Sequence, residues 1–165
     1  MKIRKSTERD FARIMEIYAF ARDFMKKNGN PNQWGATNWP PEELIHNDIG
    51  EGKSYVCLND SDCVIGTFYF DQGENIEPTY KAITEGDWKG SNLYGVVHRI
   101  AGDGSEKGIG AFCINWAFEK CQNLRIDTHN DNKVMQNLLK KLGFSVAGTI
   151  YVEEDNDPRI AFEKF

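Results

Sequence analysis

The chain has 165 residues, of which 40% are apolar and 27% charged, with a formal net charge of −5. That length suits one domain over residues 1–165 with a real core. The acidic balance, with lysines and arginines scattered, lacks the concentrated basic face that nucleic acid requires. No apolar run is long enough to span a bilayer, and no signal-like segment precedes the first strand, so the expected location is the cytoplasm, with neither nucleic acid nor membrane as partner. Cys57, Cys63, Cys113 and Cys121 form no Cys-x-x-Cys pair, and three lie in periodic apolar segments. They read as buried thiols in a reducing compartment, with no metal site and no disulfide expected.

Residues 1–5 alternate and predict a short strand. Ser6 or Thr7 caps the next helix, with Glu8 and Asp10 in its first turn. Phe11, Ile14, Tyr18, Ala21 and Met25 recur at helical spacing, and Asn28-Gly29 ends the run. A loop holding Trp34, Trp39 and Pro40-Pro41 leads to a short helix over residues 42–49. Residues 54–58 and 63–70 predict two strands joined by Asn59-Asp60-Ser61-Asp62, a hairpin with Asx-type turn chemistry. Residues 72–90 are polar and irregular apart from a short helix around 79–84, and a connection that long is usually functional or mobile. Residues 94–101 predict a strand, 111–121 a helix and 124–128 a strand. Residues 131–142 predict a helix with Met135, Leu138, Leu139 and Leu142 on one side and Gly143 as its stop. Residues 145–150 and 159–165 are closing strands, with a turn around Asp155 to Pro158. This order makes a mixed sheet with helices on its faces, and residues 94–128 form a parallel, right-handed strand–helix–strand unit.

Inside that unit stands Ser105-Glu106-Lys107-Gly108-Ile109-Gly110. A glycine-containing loop between a strand and a helix leaves backbone N–H groups unpaired at the positive end of the helix dipole, where phosphate is attracted. Glycine at these positions keeps a Cβ out of the approach of a phosphate oxygen. A plain turn is the competing reading of any Gly-x-Gly. Neither a Gly-x-x-x-x-Gly-Lys-Ser/Thr run nor an early Gly-x-Gly-x-x-Gly is present. Ligands of such sheets sit at the carboxyl ends of the parallel strands, which puts residues 101–110 and 128–132 on one rim.

The whole chain resembles the GNAT superfamily of acyl-CoA-dependent N-acetyltransferases. Two segments carry the resemblance: His98-Arg99-Ile100-Ala101 leading to Lys107-Gly108-Ile109-Gly110-Ala111, and Asp127-Thr128-His129-Asn130-Asp131-Asn132-Lys133-Val134-Met135-Gln136 ending in Lys140-Lys141-Leu142-Gly143-Phe144. The resemblance implies a mostly antiparallel, twisted sheet of six or seven strands with helices on both faces and strands four and five splayed. It implies acetyl-CoA as cosubstrate and no metal. The backbone of Val97, His98, Arg99, Ile100 and Ala101 would bond the pantetheine amides as an added strand does. The amides of Lys107, Gly108, Ile109, Gly110 and Ala111 would cradle the pyrophosphate. Asn132 would bond the pantetheine arm, while Met135, Gln136 and Leu139 would line the channel. Met135 and Leu139 also lie on an apolar helical stripe, where core packing explains them equally, and Asn132 is also read as a first-turn helix residue. The chain departs from the family at Ser105, usually Gln or Arg, and at Leu139, where many members carry a tyrosine that protonates the leaving thiolate.

The reaction so implied is attack by an amine on a thioester, which needs a base for the amine proton and a donor for the developing oxyanion. His98 and Asp127 are the first candidates for the base, and His129 the next. Each also has a structural reading: His98 as a hydrogen-bonder beside Arg99, Asp127 as a partner of Arg99 or Arg159, His129 as an orienter of the following helix. Tyr151 is the candidate acid. Trp34, Trp39, Tyr80 and Trp88, with Gln33 and Tyr55, supply walls suited to a cationic or apolar amine, or pack as ordinary core. Glu42 and Asp48 would draw a positive acceptor or solvate their helix. The expected partners are a small-molecule or peptide amine and a second copy of the chain. The rival to an active enzyme is a module that binds or senses acetyl-CoA with little turnover.

Overall fold

Thr7 opens the first helix because the Asp10 carboxylate accepts its backbone N–H at 2.8 Å and also takes the Arg4 guanidinium at 2.8 and 2.9 Å. In this computed structural model, which describes residues 1–153 and 156–165, the elements are β1 (Lys2–Lys5), α1 (Phe11–Lys27) after a 3-10 turn, α2 (Glu42–Gly50), β2 (Ser54–Leu58) and β3 (Val64–Glu74). A second 3-10 turn, Pro78–Ala82, is followed by β4 (Leu93–Gly102), α3 (Ile109–Cys121), β5 (Leu124–His129), α4 (Lys133–Lys141), β6 (Ser145–Tyr151) and β7 (Pro158–Lys164). The strands are hydrogen-bonded in the order β1-β2-β3-β4-β5-β7-β6. β4 and β5 run parallel, whereas β1–β2, β2–β3, β5–β7 and β6–β7 are antiparallel. The β4–β5 ladder holds only Gly95↔Leu124 and Val96↔Arg125, after which the strands splay.

Several boundaries differ from the sequence reading, α3 starting two residues early at Ile109 among them. β3 continues through Asp71 to Glu74, because pairing carries a strand past the end of its apolar pattern. The short helix expected around 79–84 is a 3-10 turn over Pro78–Ala82, capped where the Glu77 side chain accepts the Thr79 N–H. The helix expected from 131 starts at Lys133, since Asn132 is its N-cap. Asp155, in the turn expected before the last strand, lies outside the described residues.

The chain forms two compact units, residues 1–70 with 98–116 and residues 71–97 with 117–165, and both β3 and β4 contribute to each. In the first, α1 buries Ile14, Ile17, Tyr18 and Ala21 against Trp34, Ile45, Val56, Leu58 and Ala101. The Ile, Val and Leu side chains among them each contribute roughly 1.5–3 kcal/mol on burial. In the second, Leu124, Ile126, Leu139, Phe144, Ile150 and Phe162 are buried apolar residues. Arg125 and Glu163, opposite one another on β5 and β7, are buried too. The Arg125 guanidinium lies 4.4 Å from the Trp88 ring centre and 3.9 Å from that of Tyr94. Among the described residues no helix is long and apolar enough to cross a membrane, and no group of three or more His, Cys, Asp or Glu could hold a metal. The four cysteines are free thiols: Cys57 and Cys113 are buried, Cys121 is half-buried and Cys63 exposed.

Candidate functional site

The glycine loop is built from its first residue. Asp103 donates its N–H to the Ile65 carbonyl at 2.9 Å. One carboxylate oxygen accepts the Ser105 N–H at 2.9 Å and hydroxyl at 2.6 Å, and the other accepts from Arg13 at 2.6 Å. That Asx turn lifts the chain away from β4. At the other end Ile109, 5% exposed, plugs the loop onto the sheet. Gly66 and Gly102 make room for it: a Cβ at Gly66 would stand 2.7 Å from Ile109 Cγ2, and one at Gly102 3.3 Å from it. Gly108, just before Ile109, has φ +84° and open space where a Cβ would stand. Among the described residues, the amides of Lys107, Gly108, Ile109, Gly110 and Ala111 find no acceptor in the protein. Bare donors at the start of a helix attract an anion.

Next to this loop, Arg99 breaks the regularity of β4 with φ +50°. A left-handed non-glycine residue inside a strand stores about 1–3 kcal/mol. Its Nε and Nη2 donate to the two Asp48 oxygens at 3.0 Å each. Its guanidinium lies 4.6 Å over the Tyr69 ring, and its carbonyl accepts the Tyr18 hydroxyl at 2.8 Å. Burial pushes the Asp48 carboxyl up, opposed by the charge of Arg99, and burial pushes the Tyr18 phenol up. Asp48 is therefore an internal counter-ion. His98 is half-buried with its ring 5.7 Å from that of Tyr69. Ile100 is half-buried, and Val97 and Ala101 are buried.

In the second unit, β5 carries Asp127 and His129 on one face. Asp127 accepts the Tyr80 hydroxyl at 2.8 Å. Tyr80 is 1% exposed, and burial followed by the Asp127 charge pushes its phenol well up, so it stays a donor. His129 is buried; its Nδ1 accepts the Asp131 N–H at 3.0 Å, which leaves the proton of the neutral ring on Nε2, 3.7 Å from Asp157. Its basic nitrogen is thus engaged, as the helix-orienting reading requires. Thr128, on the opposite face, has a buried hydroxyl without a hydrogen-bond partner. Asn132 accepts the Met135 N–H at 3.0 Å as the cap of α4. Gln136 is buried and donates to the carbonyls of His129 at 3.3 Å and Asn130 at 2.7 Å, pinning α4 to the end of β5. Leu139 is fully buried and Met135 half-buried. Tyr151 is exposed at the end of β6.

The aromatic candidates divide. Trp34, 7% exposed, meets Tyr18 edge-on at 5.8 Å in the core, and Tyr80 is buried against Trp88 and Tyr94. Neither offers an open ring face to an acceptor. Trp39 is half-buried, with its carbonyl held by Arg22. Trp88 is half-buried with its Nε1 donating to the Tyr80 carbonyl at 2.7 Å. Tyr55 packs on Phe68, Phe70 and Trp116. Asp103 and Gly66, which shape the site, escaped the sequence reading, and for Ile109 that reading gave the amide but not the packing of the side chain. Asp103 followed by Gly-Ser was an available Asx-turn signal. Ile109 and Gly66 meet only through tertiary contact, and local sequence carries no sign of it.

Solved structures share this fold. A GNAT-family acetyltransferase from Streptococcus agalactiae is 29% identical, with a TM-score of 0.83 over 99% of this chain and 94% of that one. A ribosomal-protein-alanine N-acetyltransferase from Brucella melitensis is 16% identical, with a TM-score of 0.66 over 100% and 99% of the two chains. A GNAT-superfamily phosphinothricin acetyltransferase from Sinorhizobium meliloti, in complex with AcCoA, is 16% identical, with a TM-score of 0.63 over 99% and 86%. No family model and no curated protein matches the chain.

Proposed function

Because the chain belongs to the GNAT superfamily, we propose that it transfers an acetyl group from acetyl-CoA to the primary amine of a small molecule, an amino acid or a peptide N-terminus. The observation that carries this reading is the run of unbonded amides from Lys107 to Ala111 at the start of α3. It fits a pyrophosphate, and the orphaned Thr128 hydroxyl on β5 fits a polar ligand arm. The solved relative holding AcCoA adds support.

Bound there, acetyl-CoA would supply the acetyl thioester as electrophile. The β4 backbone from Val97 to Ala101, with Asn132, Met135, Gln136 and Leu139, would hold its arm. An amine is protonated near neutral pH, so a base must take its proton. Asp127 and His98 are our candidates; His129, with Nδ1 occupied, is the weaker one. A β4 amide between His98 and Ile100 would face the oxygen that gains charge. Tyr151, exposed on β6, is the candidate to protonate the departing thiolate. Trp39 and Trp88 are the aromatic candidates for the acceptor wall. A reducing cytoplasm suits the four free thiols.

Thiol release from acetyl-CoA across a panel of amines tests the reaction. Asp127→Asn and His98→Ala are expected to lower kcat at least 100-fold if either is the base; equal rates for both variants and wild type would remove both. A second reading rests on Leu139, fully buried where the family resemblance leads one to expect a tyrosine: a module that binds acetyl-CoA with little turnover. Micromolar CoA binding, about −7 to −8 kcal/mol, without transfer to any amine would favour it. Preference for ATP over CoA would count against both.

A further inference from the structure

Among the described residues Arg99 is the sole non-glycine residue within a strand that has a positive φ, at +50°. A left-handed residue interrupts the pleat, so the amides beside it no longer alternate between the two edges of the strand. Such a turn persists only where its surroundings over-determine it. Here three elements do so. Asp48 of α2 takes the guanidinium through two donors at 3.0 Å, a bidentate and directional pairing. Tyr69 of β3 lies under the guanidinium at 4.6 Å. Tyr18 of α1 holds the carbonyl at 2.8 Å. The two charged side chains are 12% and 8% exposed, so water does not compete for the pair.

We infer that the Arg99–Asp48 pair, with Tyr18, is a clamp that fixes the kink in β4 and thereby aims the His98 and Ile100 amides at the acyl group. The side chains of Arg99, Asp48 and Tyr18 act by positioning and touch neither substrate. The inference rests on the acetyltransferase reading and adds to it which side chains set the geometry of the oxyanion donor. It also gives the buried Asp48 a task other than drawing a cationic acceptor.

The double variant Arg99→Gly/Asp48→Asn tests it. Glycine accepts φ +50° without strain, and loss of both charges leaves no unpaired ion buried. The clamp is then gone while the strand keeps its permitted backbone. Expected are a thermal midpoint within a few degrees of wild type, amide exchange at residues 98–101 at least 10-fold faster, and kcat at least 30-fold lower with KM for the amine changed less than twofold. Tyr18→Phe, which deletes one hydroxyl, is expected to show the same pattern at about a third of the size and serves if the double variant folds poorly. Unchanged exchange at 98–101 in either folded variant would overturn the clamp. So would a lowered midpoint with exchange and kcat unaltered, because that is the mark of a structural salt bridge alone. If wild type transfers acetyl to no amine, the enzyme reading fails, whereas exchange still decides whether the clamp holds the kink.

Discussion

Residues 103–111 and residues 87–93 are both polar, glycine-containing runs beside β4, yet they treat their backbone in opposite ways. In the second run buried side chains close several of the backbone groups. Glu163 accepts the N–H groups of Lys89 and Gly90 at 2.8 and 3.2 Å. Arg125 donates to the Ser91 carbonyl at 2.9 Å, and Asn123 to those of Ser91 and Leu93 at 3.0 and 2.9 Å. In the first run, Asp103 closes the Ser105 amide, and the five amides from Lys107 to Ala111 find no partner. Buried backbone groups in native proteins are almost always paired. A loop that is scaffold therefore acquires side-chain partners, while a loop that receives a ligand keeps its donors for it. The contrast supports our proposal that residues 107–111 receive an anionic ligand.

Removing a closing side chain should cost stability and spare binding. Arg125→Ala strips the Ser91 carbonyl of a donor, empties the slot between Trp88 and Tyr94, and removes the positive charge on which the buried Glu163 acts. A loss of about 4 kcal/mol is expected, read as a fall of roughly 8–16 °C in thermal midpoint, with CoA affinity per folded molecule unchanged. The converse holds for Gly110→Asp. It puts a carboxylate where a diphosphate would sit and should weaken CoA at least 100-fold, about 2.7 kcal/mol, with little change in midpoint; calorimetric titration reads it. Normal CoA binding by this variant would dissolve the contrast.

Asp10 sharpens the comparison, since it closes the Thr7 amide as Glu163 closes Lys89. The Arg4 side chain holds its carboxyl below the usual value of 3.8, helped by the Thr7 N–H and opposed by burial. A lowered folded value means stability that is full above pH 3.8 and lost as pH falls through the folded value. Asp10→Ala is expected to cost about 2 kcal/mol at pH 7, and the gap to wild type should narrow below pH 4 in urea melts. A gap independent of pH would show that the ion pair is not its source. The smallest effect is that of Gly108→Ala, which strains φ +84° by about 1 kcal/mol and weakens CoA several-fold.

Much of this was legible in the sequence. The α1 stripe, the Asn59–Asp62 hairpin, the glycine loop and the mixed sheet follow from spacing and turn chemistry, which are local. The kink at Arg99 was not legible, because its stability comes from Asp48 and Tyr18, 51 and 81 residues away along the chain. Tyr80 was read as a substrate wall, and its burial depends on Asp127, Trp88 and Tyr94. The closing of residues 87–93 depends on Arg125 and Glu163, charged residues that strand patterning places without saying that they are buried. Sequence shows where donors are left over, while tertiary contact decides which of them stay open.

The central claim is most directly tested by following backbone amide resonances while CoA is added. The amides of Lys107 to Ala111 are expected to move downfield and saturate at micromolar CoA, with those of Lys89 and Gly90 unmoved and with ATP far less effective. Saturable binding of CoA that leaves the resonances of residues 107–111 where they were would contradict it.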